Sequence, residues 1–291
     1  LQITKAVDDY LRHLQAEGRS PHTVAAYRRD LAAFTSFAIG ESLTDLGQVT
    51  PADLVRFMAS PSVLQDRAGR TRAPASINRY RVAVKALYAF AEARWLVERN
   101  PTAILRCQRH RGLPPVVLEA SEITRLVSRE FVGAMGKRDH ALITFMLLTG
   151  CRLAETAALN VGDIDFAARI AILRKTKGGD PDRVMLSPTL AEILVAHMGG
   201  SHPEAPLFAT GGRRLSTRQV QRIVSRRVQE AGITKPITAH SLRHSFATRL
   251  YNATGDIRLV QQALRHAHVS TTETYARSIP SDGGARSRAI A

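Results

Sequence analysis

Apolar residues recur at three- and four-residue intervals through most of this chain, and the intervals break at proline, glycine and short polar runs. In VDDYLRHLQAEG, Val7, Leu11 and Leu14 share one helical face and Gly18 closes the run. Ser20-Pro21 then offers an N-cap hydroxyl followed by a first-turn proline, opening a helix with Tyr27, Leu31 and Phe34 on its inner face. Thr50-Pro51 repeats the device ahead of ADLVRFMA. Residues 60–74 read as a polar, basic loop. The next helix buries Ile77, Tyr80, Val84, Leu87 and Tyr88, and RNP at 99–101 stops it. These aromatic positions are expected in a core.

The basic stretch 107–117 contains a proline pair and reads as a linker. Helical patterns follow at 120–130 and 137–149. Two strand-like pieces, RIAILRK and DRVMLS, come next, joined by the glycine-rich turn TKGGDP. Helical patterns resume at 188–198, 216–231, 239–251 and 256–264. Residues 276–291 are small and polar and are expected to form a mobile tail. The expected fold is mainly α with a small β-sheet in the second domain: a helical domain over 1–106, a linker over 107–117 and a second domain over 118–275.

Composition narrows the class. The chain has 291 residues, 44% hydrophobic and 23% charged, ordinary values for a globular protein of two domains. No run of 18 apolar residues suits a membrane helix, and LQITKAVDDY lacks the regions of a signal peptide. Cys107 and Cys151 alone build neither a disulfide framework nor a four-ligand metal site, which fits a reducing cytoplasm. Charge changes the picture most. Six lysines and 35 arginines against 25 acidic residues give a formal net charge of +16. A GC-rich genome explains arginine over lysine but not the excess of cations. Distributed cations are rewarded by phosphate neutralisation and counterion release, so nucleic acid is the expected partner.

AHSLRHSFATRL, residues 239–250, concentrates the candidate chemistry. With Thr238 as N-cap, Leu242, Phe246 and Leu250 form a buried stripe, while His240 and Arg243 share another face near the helix start. His240 and His244, four apart, suit a zinc pair, yet an arginine lies between them and Ser241 occupies the glutamate position of H-E-x-x-H. The helix N-terminus and a planar guanidinium favour an anion instead. Farther on, Ser270 and Glu273 match a capping box, placing Tyr275 on the second turn of a short helix.

Five separated motifs, in order, resemble the tyrosine recombinase, or phage integrase, family. They are T-G-x-R-x-x-E at 149–155, the hairpin RKTKGGDPDRVMLSP, H-x-x-R at 240–243, L-x-H at 264–266, and S-T-T-x-x-Y at 270–275. The first domain, with YLRHLQAEGRSPHTVAAYRRDL, resembles the core-binding domain of Xer-type and integron-type members. The resemblance covers nearly the whole chain. It implies a two-domain DNA clamp, a helical core-binding domain joined to a tyrosine-recombinase catalytic domain.

It also implies roles. Tyr275 would attack the scissile phosphate, forming a 3′-phosphotyrosyl bond, and a 5′-hydroxyl from a partner duplex would reverse the step. Bond energy is conserved, so no ATP, metal or other cofactor is expected. Arg152 and Arg243 would hold the non-bridging oxygens, and His266 would donate to one of them. Lys177 would protonate the leaving oxygen; Lys175, two residues away, is the alternative. His240 would accept the tyrosine proton or bond the phosphate. Glu155 would orient the site without touching the reacting atoms. His244 carries no catalytic expectation. Cys151 is expected to pack, and His268 to be structural or a phosphate contact. The partners implied are a double-stranded recombination site and further copies in a tetrameric synaptic complex, with a second recombinase or accessory protein as an option. No membrane is involved, and the setting implied is the bacterial cytoplasm, at the nucleoid.

Two departures stand out. The family reads L-G-H where this chain has Leu264-Arg265-His266; if that glycine serves a left-handed position, Arg265 is strained and His266 displaced. Otherwise Arg265 is expected to be structural or a phosphate contact. The tail SIPSDGGARSRAIA lacks the apolar period of the helix that couples subunits in many relatives. A non-catalytic DNA-binding protein of the same fold and a relaxing type IB topoisomerase stand as alternatives. The recombination site and the biological task, from chromosome-dimer resolution to cassette capture, stay open.

Overall fold

The computed structural model describes residues 1–107, 115–128, 132–174 and 181–265, and the chain divides into compact units at Leu1–Gly112 and Leu113–Ala291. The first unit is helical: α1 (Ile3–Ala16), α2 (Pro21–Gly40), α3 (Pro51–Ala59), α4 (Pro61–Leu64) and α5 (Pro74–Ala93). The proline devices work as read. The Ser20 hydroxyl accepts from Thr23 N–H at 3.2 Å. Thr50 and Asp53 form a reciprocal capping box at 2.8 and 3.3 Å. Leu11, Leu14, Leu31, Phe34, Tyr80, Val84, Leu87 and Tyr88 are all buried in one core, and Tyr27 and Ile77 pack partly buried at its edge. The stretch 60–74 is not simply a loop. Ser60-Pro61 starts the one-turn helix α4, whose third residue, Val63, is fully buried. Four residues are too few to show a helical period.

The second unit contains α6 (Ala120–Ser128), α7 (Gly133–Thr149), α8 (Leu153–Ala158), β1 (Ile164–Asp165), β2 (Ile170–Leu173), β3 (Asp182–Met185) and α9 (Pro188–Met198). It continues with β4 (Ala209–Thr210), β5 (Arg213–Arg214), α10 (Thr217–Glu230), α11 (Ala239–Thr254) and α12 (Ile257–Leu264). Seven consecutive residues of α7, Ala141–Leu147, are buried, so this stretch of the helix is enclosed on all sides. β1, β2 and β3 make an antiparallel sheet with Ala171 opposite Val184 and Ile172 opposite Arg183. A second ribbon, β4–β5, was not evident in the sequence.

α7 and α10 are joined by a carboxylate. Asp139, 1% exposed, accepts from Arg138 at 2.6 and 2.9 Å and from Arg226, with Arg227 at 3.7 Å. A buried acid needs such compensation. Among the described residues no helix is long and apolar enough to cross a membrane.

Candidate active site

The site begins where α7 stops. Gly150 is left-handed, with φ +61°, and a Cβ there would lie 2.4 Å from Phe246 Cδ1, so conformation and space both require glycine. After this tight turn Cys151 is fully buried, as a packing residue should be, and burial pushes its thiol pKa up. Arg152 then sits at the N-cap of α8, extended at φ −70° and ψ 151°. Glu155, in the first turn, takes both of its donors: one oxygen accepts the backbone N–H at 2.8 Å, the other the guanidinium at 2.7 Å. Burial opposes ionisation of Glu155. Hydrogen bonds from Arg152 and the charges of Arg265 and Arg152 outweigh it, holding the carboxyl below its ordinary pKa.

Arg243 comes from α11, whose start is fixed as expected: the Thr238 hydroxyl accepts from Ser241 N–H at 3.3 Å. Its side chain is no surface cation but 1% exposed. It donates to the Gly150 carbonyl at 2.6 Å and to the Leu264 carbonyl. One guanidinium therefore ties the C-terminus of α7 to that of α12. In the same helix Leu242 is fully buried, whereas Phe246 and Leu250 are only partly buried, packed against the small cluster Ala247, Val260 and Leu264.

Arg265 follows Leu264 in the left-handed conformation, φ 55° and ψ 48°, the backbone that the family's glycine would adopt freely. Its carbonyl accepts from Arg152 at 3.4 Å. The last two carbonyls of this turn, Leu264 and Arg265, thus face the two arginines, Arg243 and Arg152. The Arg265 side chain donates to Glu155 at 2.7 Å and pairs with Asp182 of β3 at 3.3 Å.

His240 stands exposed one turn before Arg243. Its ring meets that of His244 edge to face, centroids 4.3 Å apart, and no group of three His, Cys, Asp or Glu side chains gathers among the described residues. Desolvation, then the charges of Arg243 and Arg152, hold the His240 pKa below its ordinary value. Burial, with His240 and Arg243 nearby, lowers that of His244 to about 4. Both shifts favour the neutral ring, so the local positive charge comes chiefly from guanidiniums.

Of the residues expected in the site, Arg152, Glu155, His240 and Arg243 come together. Lys177, its alternative Lys175, His266, His268, Ser270, Glu273, Tyr275 and the tail 276–291 lie outside the described residues. Five of the six tyrosines are described. Tyr10, Tyr27, Tyr80 and Tyr88 belong to the first unit, where burial raises the phenol pKa of Tyr10 and Tyr88. Tyr251 packs on α11 against Ala247, Val260 and Leu264. Arg265 is the residue whose position in the site sequence reasoning missed. Its signal was the departure from L-G-H. The arrangement suits a phosphodiester: two planar cations held at fixed angles, with neutral imidazole at the rim.

Comparisons with known proteins bear on the family and the fold. Residues 117–281 match the model of the phage integrase family, and residues 7–94 match the phage integrase N-terminal SAM-like domain. The chain is 33% identical over 274 residues to tyrosine recombinase XerC of Xanthomonas campestris pv. campestris (strain B100), covering 93% of this chain and 83% of that protein. It is 30% identical over 297 residues to tyrosine recombinase XerD of Bifidobacterium longum (strain NCC 2705), covering 96% and 94%. Its fold is similar to that of the XerH site-specific recombinase bound to palindromic difH substrate in a post-cleavage complex. That likeness has a TM-score of 0.69 at 23% identity and covers 90% of this chain and 78% of the other.

Proposed function

The chain belongs to the phage integrase family and is a tyrosine-type site-specific recombinase; we propose that Tyr275 is its nucleophile and that Arg152 and Arg243 hold the scissile phosphate. The Tyr275 oxygen attacks phosphorus, the bond to the 5′-oxygen breaks, and a 3′-phosphotyrosyl linkage forms. His240 takes the phenolic proton, its depressed pKa leaving it neutral and ready to accept. Lys177 gives a proton to the departing 5′-oxygen, and His266 donates to a non-bridging oxygen. Attack by a 5′-hydroxyl of the partner duplex reverses each transfer and releases the tyrosine. Each phosphodiester broken is replaced by a phosphoester of similar energy, so ATP need not be consumed.

The observation carrying this reading is the way the two arginines are held. Arg152 is fixed by Glu155, and Arg243 by the carbonyls of Gly150 and Leu264. Preorganised donors of this kind stabilise developing charge without reorganising during the reaction. We assign residues 1–106 to core binding, 107–117 to the linker and 118–275 to catalysis. The substrate is a double-stranded recombination site, engaged by four copies in a synaptic complex, with a second recombinase or accessory protein as a further partner. The setting is the bacterial cytoplasm, at the nucleoid.

The test is covalent capture. Purified protein is mixed with fragmented host DNA and denatured, and the retained fragments are sequenced, with Tyr275→Phe in parallel. One short shared site recovered with wild type and lost with the variant is expected. Equal absence from both, with tight native binding, would identify a non-catalytic DNA-binding protein instead.

A further inference from the structure

We propose that Arg265 is a positioning residue for Arg152, replacing the backbone freedom of a glycine with a charged bridge that the reaction uses. The inference rests on the reading of Arg152 as a phosphate-holding group. Four observations carry it. Arg265 occupies a left-handed backbone position, φ 55°, that an arginine tolerates poorly and a glycine adopts freely. Its side chain is nonetheless only 10% exposed and turned inward, onto Glu155 at 2.7 Å. Its carbonyl accepts from Arg152 at 3.4 Å. Its Nε lies 3.3 Å from the carboxylate of Asp182, the first residue of β3, an ion pair without hydrogen-bond geometry.

These contacts do two things. Alone with Arg152, the buried Glu155 would make a neutral one-to-one pair and draw the guanidinium away from an incoming phosphate. A second guanidinium on the same carboxylate shares that negative charge and loosens the hold of Glu155 on Arg152; with Asp182 counted, two guanidiniums face two carboxylates. The bridge also joins α8, through Glu155, to the end of α12, through Arg265 itself, with Asp182 of β3 as a charge neighbour. Arg152 is held by Glu155 on one side and by the Arg265 carbonyl on the other, so loss of either loosens its aim.

Arg265→Gly restores the conformationally free residue and removes the bridge. Arg265→Asn also tolerates the left-handed position and is too short to reach Glu155. Two readouts decide. In the free protein, the Glu155 side-chain carboxyl is followed by carbon-13 NMR titration. Its midpoint is expected to rise in both variants, because one of its two cationic partners is gone. On the duplex recovered by covalent capture, adduct formation at saturating protein is expected to slow between about tenfold and a hundredfold, with the half-saturating protein concentration unchanged. Arg265→Lys, which keeps the charge but not the fork, is expected to fall between.

Variants that form adduct as fast as wild type, or an unmoved Glu155 titration, would overturn the proposal while leaving the recombinase reading intact. Loss of DNA affinity at an unchanged rate would make Arg265 a phosphate contact and overturn it too. Failure of wild type itself to form an adduct would instead sink the recombinase reading, and the Glu155 titration would still decide whether Arg265 holds the carboxylate.

Discussion

Glu155 grips Arg152 twice, by its backbone N–H at 2.8 Å and by its guanidinium at 2.7 Å. The cap that starts α8 and the aim of an active-site cation are therefore one interaction. The Arg152 side chain keeps 28% of its surface open, whereas Arg243 is closed in at 1%. The two arginines share a proposed ligand but not a structural burden.

Replacing each separates those burdens. Arg152→Ala is expected to lower the rate of adduct formation by about 10²–10³, roughly 3 kcal/mol, by analogy with loss of an oxyanion donor. Its urea midpoint should stay near that of wild type, since Glu155 keeps Arg265 as a partner. Arg243→Ala should lose the rate and, in addition, about 2–4 kcal/mol of stability, because the buried carbonyls of Gly150 and Leu264 lose their donor. Paired urea melts and single-turnover assays check both. Equal melts for the two variants would contradict the distinction.

Gly150→Ala should destabilise the second unit by about 2–4 kcal/mol, combining a left-handed penalty with overpacking against Phe246. Adding Phe246→Ala should recover the overpacking part but not the conformational part. A double-mutant cycle measures the coupling, and strict additivity would show that the contact with Phe246 costs nothing.

Arg218 and Arg222 lie one turn apart on the exposed side of α10, the helix whose Gln221 side chain accepts from Ala239 N–H at the start of α11. Changing both to alanine should weaken duplex binding across sequences and flatten the dependence of log K on log salt by about two. An unchanged slope in a binding series over salt would remove α10 from the DNA contact.

The acid side of the pH profile is set by histidine. His240 has a depressed pKa, so it should still accept the tyrosine proton as pH falls through the ordinary histidine value of about 6.5, and the rate should decline only below that. His240→Asn should lack this limb. His244 acts on stability instead. Its folded pKa of about 4 lies below the unfolded value, so its contribution is full above about 6.5 and is lost progressively as pH falls toward 4. Urea melts of wild type and His244→Gln over that range should converge as the acid end is approached. Parallel curves would contradict it.

Local chemistry made much of this visible in sequence. Ser20-Pro21, Thr50-Pro51 and Thr238 announce their helices within a few residues, and the apolar stripes of α1 and α5 are long enough for their period to show. Arg152 with Glu155, and His240 with Arg243, are each three apart and travel together. What stayed hidden is either short or distant. α4, α8 and the two-residue strands β1, β4 and β5 hold too few residues for periodicity. Gly150 meets Phe246 across 96 positions and Arg265 meets Glu155 across 110, contacts made by tertiary packing alone. The burial of Arg243 stayed hidden because nothing local shows two backbone carbonyls waiting for its guanidinium.

Mass spectrometry of the digested adduct tests the nucleophile most directly. Wild-type protein is reacted with the captured duplex, treated with nuclease and trypsin, and searched for a peptide carrying a residual nucleotide. The expected carrier is HAHVSTTETYAR, residues 266–277, with the nucleotide on Tyr275. A nucleotide on any other peptide, the one bearing Tyr251 included, would contradict the assignment on which every catalytic role proposed above depends.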